Sequence, residues 1–101
     1  MSIKGFKLVT GEEVISETTI NQDGRALLKN PMQLRVVPPK INGAPPSMGF
    51  VPFPAFADQS KEVTILIEPL HIAYTYEPDQ NIIDNYNAMM SGGSSNQLIT
   101  G

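Results

Sequence analysis

The stretch Leu8 to Glu17, "LVTGEEVISE", places two runs of apolar and β-branched residues around a Thr-Gly-Glu-Glu turn. Apolar side chains separated by one residue recur from Ile3 to Leu8 and again from Val14 to Ile20. That period of two is the mark of half-buried strands, and the spacing predicts a hairpin closed at Thr10-Gly11-Glu12. "NQDGR", Asn21 to Arg25, supplies a second turn, because Asp-Gly tolerates the positive φ that tight hairpins need. The third strand reads "RALLKNPMQLRVV". Its even positions Ala26, Leu28, Met32, Leu34 and Val36 are expected to line one face, which sets Asn30 among apolar neighbours. Two readings of Asn30-Pro31 follow: a bulge or bend where Pro31 cannot donate a ladder hydrogen bond, or an Asn held for binding.

A chain of 101 residues, 41% of them hydrophobic, can bury one modest core and is expected to form one domain, residues 1–91. Small domains usually need a staple. With no Cys a disulfide is excluded, and a single His makes a structural zinc site a poor fit, so oligomerisation is the staple that remains. Seven basic against ten acidic side chains give a net charge of −3. Non-specific nucleic-acid binding draws on clustered Lys and Arg, and here the cations are scattered singly at Lys4, Lys7, Arg25, Lys29, Arg35, Lys40 and Lys61. No apolar run approaches a membrane span and "MSIKGFKL" lacks a signal-peptide core, so a cytoplasmic protein is expected.

From Pro38 to Ser60 the alternation stops, and this stretch holds six of the nine prolines. So much Pro predicts a long loop with neither helix nor central strand. Phe50, Val51, Phe53 and Phe56 are too apolar for a free linker: they either fold back onto the strands or a neighbouring subunit, or form an exposed aromatic platform. "EVTILIEPLHIAYTYE" returns to strand character, with Val63, Ile65 and Ile67 on one face, Leu70, Ile72, Tyr74 and Tyr76 in another register, and Glu68-Pro69 as a sharp break. After Pro78 the period changes. Ile82, Ile83, Tyr86, Met89 and Met90 fall on one side of a helix over about 79–91, with Asp79 able to cap its start and Gly92 its end. Residues 92–101 read as a mobile tail.

Catalysis finds little support. His71 is the only imidazole, no Ser stands in a nucleophile-elbow context, and no Gly-rich phosphate loop joins a strand to a helix. The carboxylates Glu12 and Glu13 sit on a hairpin tip, where acids are ordinarily solvated. We therefore expect no enzyme, no cofactor and no metal.

"LVTGEEVIS" resembles the first half of the Sm motif, with Leu8, Gly11, Val14 and Ser16 on the motif positions and Ser in place of the customary Gly. "ILIEPLHIAY" resembles the second half, an apolar strand, a tight two-residue corner and a final apolar strand. The resemblance spans roughly Ile3 to Tyr76, and the whole chain is similar to the Sm-like proteins of marine cyanophages, which would place it in the host cytoplasm. It implies a small five-stranded, strongly bent antiparallel barrel of the Sm-like (SH3-like) kind, here with a short C-terminal helix. It also implies a homo-oligomeric ring of about five to seven copies, closed by pairing the fourth strand of one subunit with the fifth of the next. Such rings bind single-stranded RNA at the inner rim.

By position in that resemblance, Asn21, Asp23 and Arg25 would meet nucleic acid from one loop and His71 from the last corner, stacking on a base. The chain departs from the family in lacking the Met-Asn pair after the second strand and in carrying Glu68-Pro69 where the family has Arg-Gly. The leading expectation is a non-catalytic ring protein that binds single-stranded nucleic acid, RNA or DNA, in processing or chaperoning. The rival is a structural or protein-interaction module that uses the Pro/Phe loop and the Met-bearing helix.

Overall fold

The structure is a computed structural model that describes residues 2–92 and 98–99. Strands β1 (Ser2–Leu8), β2 (Glu13–Ile20) and β3 (Ala26–Val37) form a continuous antiparallel meander. The first turn has the predicted chemistry: Gly11 lies at φ +107°, its N–H donates to the Leu8 carbonyl at 2.9 Å, and Leu8 N–H donates to the Glu12 carbonyl at 2.9 Å. Only Gly takes that φ without strain.

The stretch expected to be an unstructured loop, 38–60, contains a strand. β4 (Ser47–Pro52) pairs antiparallel with the outer half of β3, from Met32↔Pro52 to Val37↔Ser47. Pro45 and Pro46 precede this strand and Pro52 ends it, and "SMGFV" between them is free of Pro, so its N–H groups are available to the ladder. The Pro/Phe segment is therefore the tip and return of a long hairpin. Its aromatics divide: Phe50 is buried, Phe53 packs on the core and Phe56 is fully exposed. β5 (Thr64–Ile67) pairs with the inner half of β3, Ala26 to Lys29. A single 3-10 turn, Pro69–His71, then leads into β6 (Ile72–Tyr76), which pairs with β1.

The result is an antiparallel sheet of six strands, in place of the five expected, with a two-residue strand β7 (Leu98–Ile99) beside β4. The sheet is not closed: β5 pairs only with β3 and β6 only with β1 among the described residues. Helix α1 (Gln80–Gly92) starts where expected, with the Asp79 carboxylate accepting from Ile82 N–H at 3.0 Å. Apart from Gly92 and β7, the expected tail lies outside the described residues. No helix among those residues is long and apolar enough to cross a membrane.

The expectation that the even positions of β3 share one face does not hold. Ile15 faces Met32 but Glu17 faces Lys29, so Ser16 stands opposite both Asn30 and Pro31. This is the bulge, with Asn30 at φ +52°. One extra residue is half a strand period, and it turns everything beyond it to the other side of the sheet. Ala26 and Leu28 therefore join Phe6, Leu8, Val14 and Ile67 in one core, whereas Met32 joins Ile15, Phe50, Tyr86 and Met89 in a second, under α1. Val36, past the second core, is exposed.

The two faces also explain Gly5. It pairs with Tyr76 across β1 and β6, and the Tyr76 ring lies over the place a Cβ would occupy. The ring cannot simply swing aside, because its hydroxyl donates to Glu13 Oε2 at 2.6 Å. Gly5→Ala is expected to lower stability by about 1–3 kcal/mol through overpacking, read as a lower thermal midpoint. The double variant Gly5→Ala/Tyr76→Ala should lose no more than Tyr76→Ala alone; a full additive loss would mean that the ring is not the obstacle.

Candidate functional site

The β2–β3 turn is organised by its own backbone. Asn21 N–H donates to the Arg25 carbonyl at 2.8 Å, Gly24 N–H to the Asn21 carbonyl at 3.0 Å, and Arg25 N–H to Asp23 Oδ1 at 3.2 Å. The fold brings this turn against the β5–β6 corner, 43 residues away, and the contact is ionic. Arg25 Nε donates to Glu68 Oε2 at 3.0 Å, and Arg25 Nη1 lies 3.2 Å from Asp23 Oδ2. Glu68, with Asp23 behind it, holds the Arg25 guanidinium above its ordinary pKa. Gly24 and Pro69 line a shared cleft with Tyr74.

Two of the places expected to contribute to one site thus do meet, but Arg25 arrives there already engaged by two carboxylates. The Glu68 that stands where the resembled family has Arg is its principal partner. Asn21 and Asp23 are exposed in the turn. His71 is exposed at the end of the 3-10 turn, where its carbonyl accepts from Val9 N–H at 2.9 Å and ties the corner to the first hairpin. Its imidazole makes no hydrogen bond among the described residues and is not joined to the Arg25 cluster.

The other cations are also paired. Lys4 meets Glu77, Lys7 is 4.0 Å from Glu13, Lys29 is 3.8 Å from Glu62 and Lys61 is 3.8 Å from Asp58. Among the described residues only Arg35 and Lys40 lack an ion pair, and both are exposed on the β3–β4 hairpin. A signal for this exists in the amino-acid order, which places no Asp or Glu anywhere from Gly24 to Ala57. Scattered single cations hide it when only totals are counted.

Between the first hairpin, β5 and the Phe53 loop lies an open groove of about 440 Å³, floored by Leu8, Phe53, Ile65 and Leu66 and rimmed by Glu12 and Glu68. The Thr10 hydroxyl donates to the Glu12 carboxylate and holds it below its ordinary pKa, so this end of the rim is negative at neutral pH, while Glu68 at the other is paired with Arg25 and His71 lines the groove beside it. No group of three or more metal-ligating side chains gathers among the described residues. The chain matches no protein-family model and no curated protein.

Proposed function

We propose that this chain is a non-catalytic, self-associating module of the Sm-like kind, a bent barrel whose closure is completed by other copies of itself. The observation that carries the proposal is the pair of strand edges, on β5 and β6 to either side of one 3-10 turn, that have no partner strand among the described residues. An open edge offers a row of free N–H and C=O groups, and pairing β5 of one copy with β6 of the next would satisfy both rows and close a ring. The strand order β6-β1-β2-β3, with β5 on the far side of β3, supplies the two edges at opposite ends of the sheet, as a head-to-tail ring requires.

Binding of single-stranded nucleic acid at such a ring is the second reading, favoured by the meeting of the Asn21–Arg25 turn with the Glu68–His71 corner. Against it stand the engagement of Arg25 and the net negative charge. Light scattering during size exclusion should return an integral multiple of 11.0 kDa, five to seven by the resemblance. A stable monomer at micromolar concentration would overturn the assembly reading. A fluorescent single-stranded oligonucleotide then separates the two. For the module alone, binding is weak, vanishes at physiological salt and is indifferent to Arg25→Ala. For a nucleic-acid ring, Arg25→Ala flattens the salt dependence by about 0.7 in slope per lost phosphate contact. In that case Glu68→Gln, which frees Arg25, tightens binding, and His71→Ala weakens it with little change of slope.

A further inference from the structure

The β3–β4 hairpin extends past the second core as an arm, and its chemistry differs from that of the remaining chain. Residues 38–46 at its tip are all exposed. Val36 is 66% exposed and Ile41 74%, and Met48 adds a third apolar side chain to the surface. Residues 35–48 hold two cations, Arg35 and Lys40, and no acid, while the other residues hold five cations and ten acids. Those five cations are all in ion pairs; among the described residues the two on the arm are not.

We propose that this arm docks on the acid-rimmed groove of a second copy of the chain. The groove beside the first hairpin supplies the complement to the arm: an apolar floor of Leu8, Phe53, Ile65 and Leu66 for Val36 and Ile41, and for the arm's cations the Glu12 carboxylate, with that of Glu68 shared with Arg25. Exposed aliphatic side chains beside cations suit a protein surface better than nucleic acid, whose bases stack on aromatics, and residues 35–48 carry no aromatic side chain. The contact is head-to-tail, since arm and groove are different surfaces of one chain, and copies joined this way form rings or open chains. It rests on the self-association proposed above and not on nucleic-acid binding.

The test uses two full-length variants, the arm reversal Arg35→Glu/Lys40→Glu and the groove reversal Glu12→Lys. Both sets lie on exposed turns or strand ends, and circular dichroism confirms that each variant is folded before association is measured. Sedimentation velocity across a concentration series should show each variant alone associating at least about tenfold more weakly than wild type, since each sets like charges face to face. An equimolar mixture should recover association, because the reversed arm of one then faces the reversed groove of the other. Wild-type association should also weaken as salt is raised to about 0.5 M, where screening acts within a few ångströms. Unchanged association in the arm reversal, with wild type oligomeric, overturns the arm contact and leaves edge pairing standing. Loss in both variants without recovery on mixing also overturns it, while a monomeric wild type overturns the self-association on which it rests.

Discussion

Tyr86→Ala is expected to remove about 4 kcal/mol of stability, a large share of the roughly 5–15 kcal/mol that holds a domain folded. The side chain is fully buried in the second core, edge-on to Phe50 at 6.2 Å between ring centres. Its hydroxyl reaches the backbone of the bulge, donating to the Asn30 carbonyl at 2.8 Å with the Lys29 carbonyl at 3.2 Å, and Glu17 N–H approaches it at 3.4 Å. One residue thus supplies the helix with both its apolar anchor and its polar latch. Tyr86→Phe keeps the anchor and should cost about 1–3 kcal/mol, the penalty for the Asn30 carbonyl losing this donor, since the Lys29 carbonyl keeps the Ser16 hydroxyl at 2.9 Å.

The same residue gives a pH signature. Burial pushes the Tyr86 phenol up to about 12 from its ordinary 10.0. The folded state then keeps a proton that the unfolded chain has already lost, so this contribution is complete below pH 10 and is lost as pH rises towards 12. Urea midpoints taken over that window should fall less steeply for Tyr86→Phe than for wild type. Part of the fall will remain, because burial and the Glu13 carboxylate also raise Tyr76. Identical slopes in the two proteins would mean that the Tyr86 hydroxyl is open to water.

Asn30→Val should cost about 3 kcal/mol, from two sources that a second variant separates. At φ +52° a β-branched side chain is strained. In addition, Asn30 Oδ1 accepts from Val63 N–H at 3.1 Å, a bond parallel to that from Asn30 N–H to the Val63 carbonyl at 2.7 Å. Asn30→Gly restores the backbone freedom but not the acceptor, and should lose about half as much. Equal losses in the two variants, read from denaturant midpoints, would show that the φ carries no strain.

What could be read in advance was whatever local chemistry decides. Gly11 and Asp23-Gly24 fix their turns through φ, Asp79 caps its helix within one turn, and Asn30-Pro31 interrupts an apolar alternation. β4 was hidden because the density of Pro around it outweighed the short Pro-free run that forms it, and only the outer half of β3 gives that run a partner. Face assignment beyond Asn30 failed for a related reason: a bulge was visible, but its effect on parity depends on Ser16 across the ladder. The site was half legible. The turn of Asn21 to Arg25 lies against the Glu68-Pro69 corner without His71, and the pairing of Arg25 with Glu68 joins residues 43 apart and required the fold itself.

The bulge has a consequence for how this chain can vary. β3 serves one core before Asn30 and the other after it, and the single inserted residue is what turns Met32 towards Tyr86. Removing one of Asn30 and Pro31 would leave a regular ladder with Met32 still opposite Ile15, whereas flattening the bulge at unchanged length would rotate Met32 and Leu34 off the helix-covered face and turn Gln33 and Arg35 onto it. Side chains along the segment can be exchanged at the modest costs described above. Length and bulge are tied to each other: a step of four residues from Leu28 to Met32 reaches the other core only with Ser16 opposite two of them, and a step of three would reach it with no bulge at all.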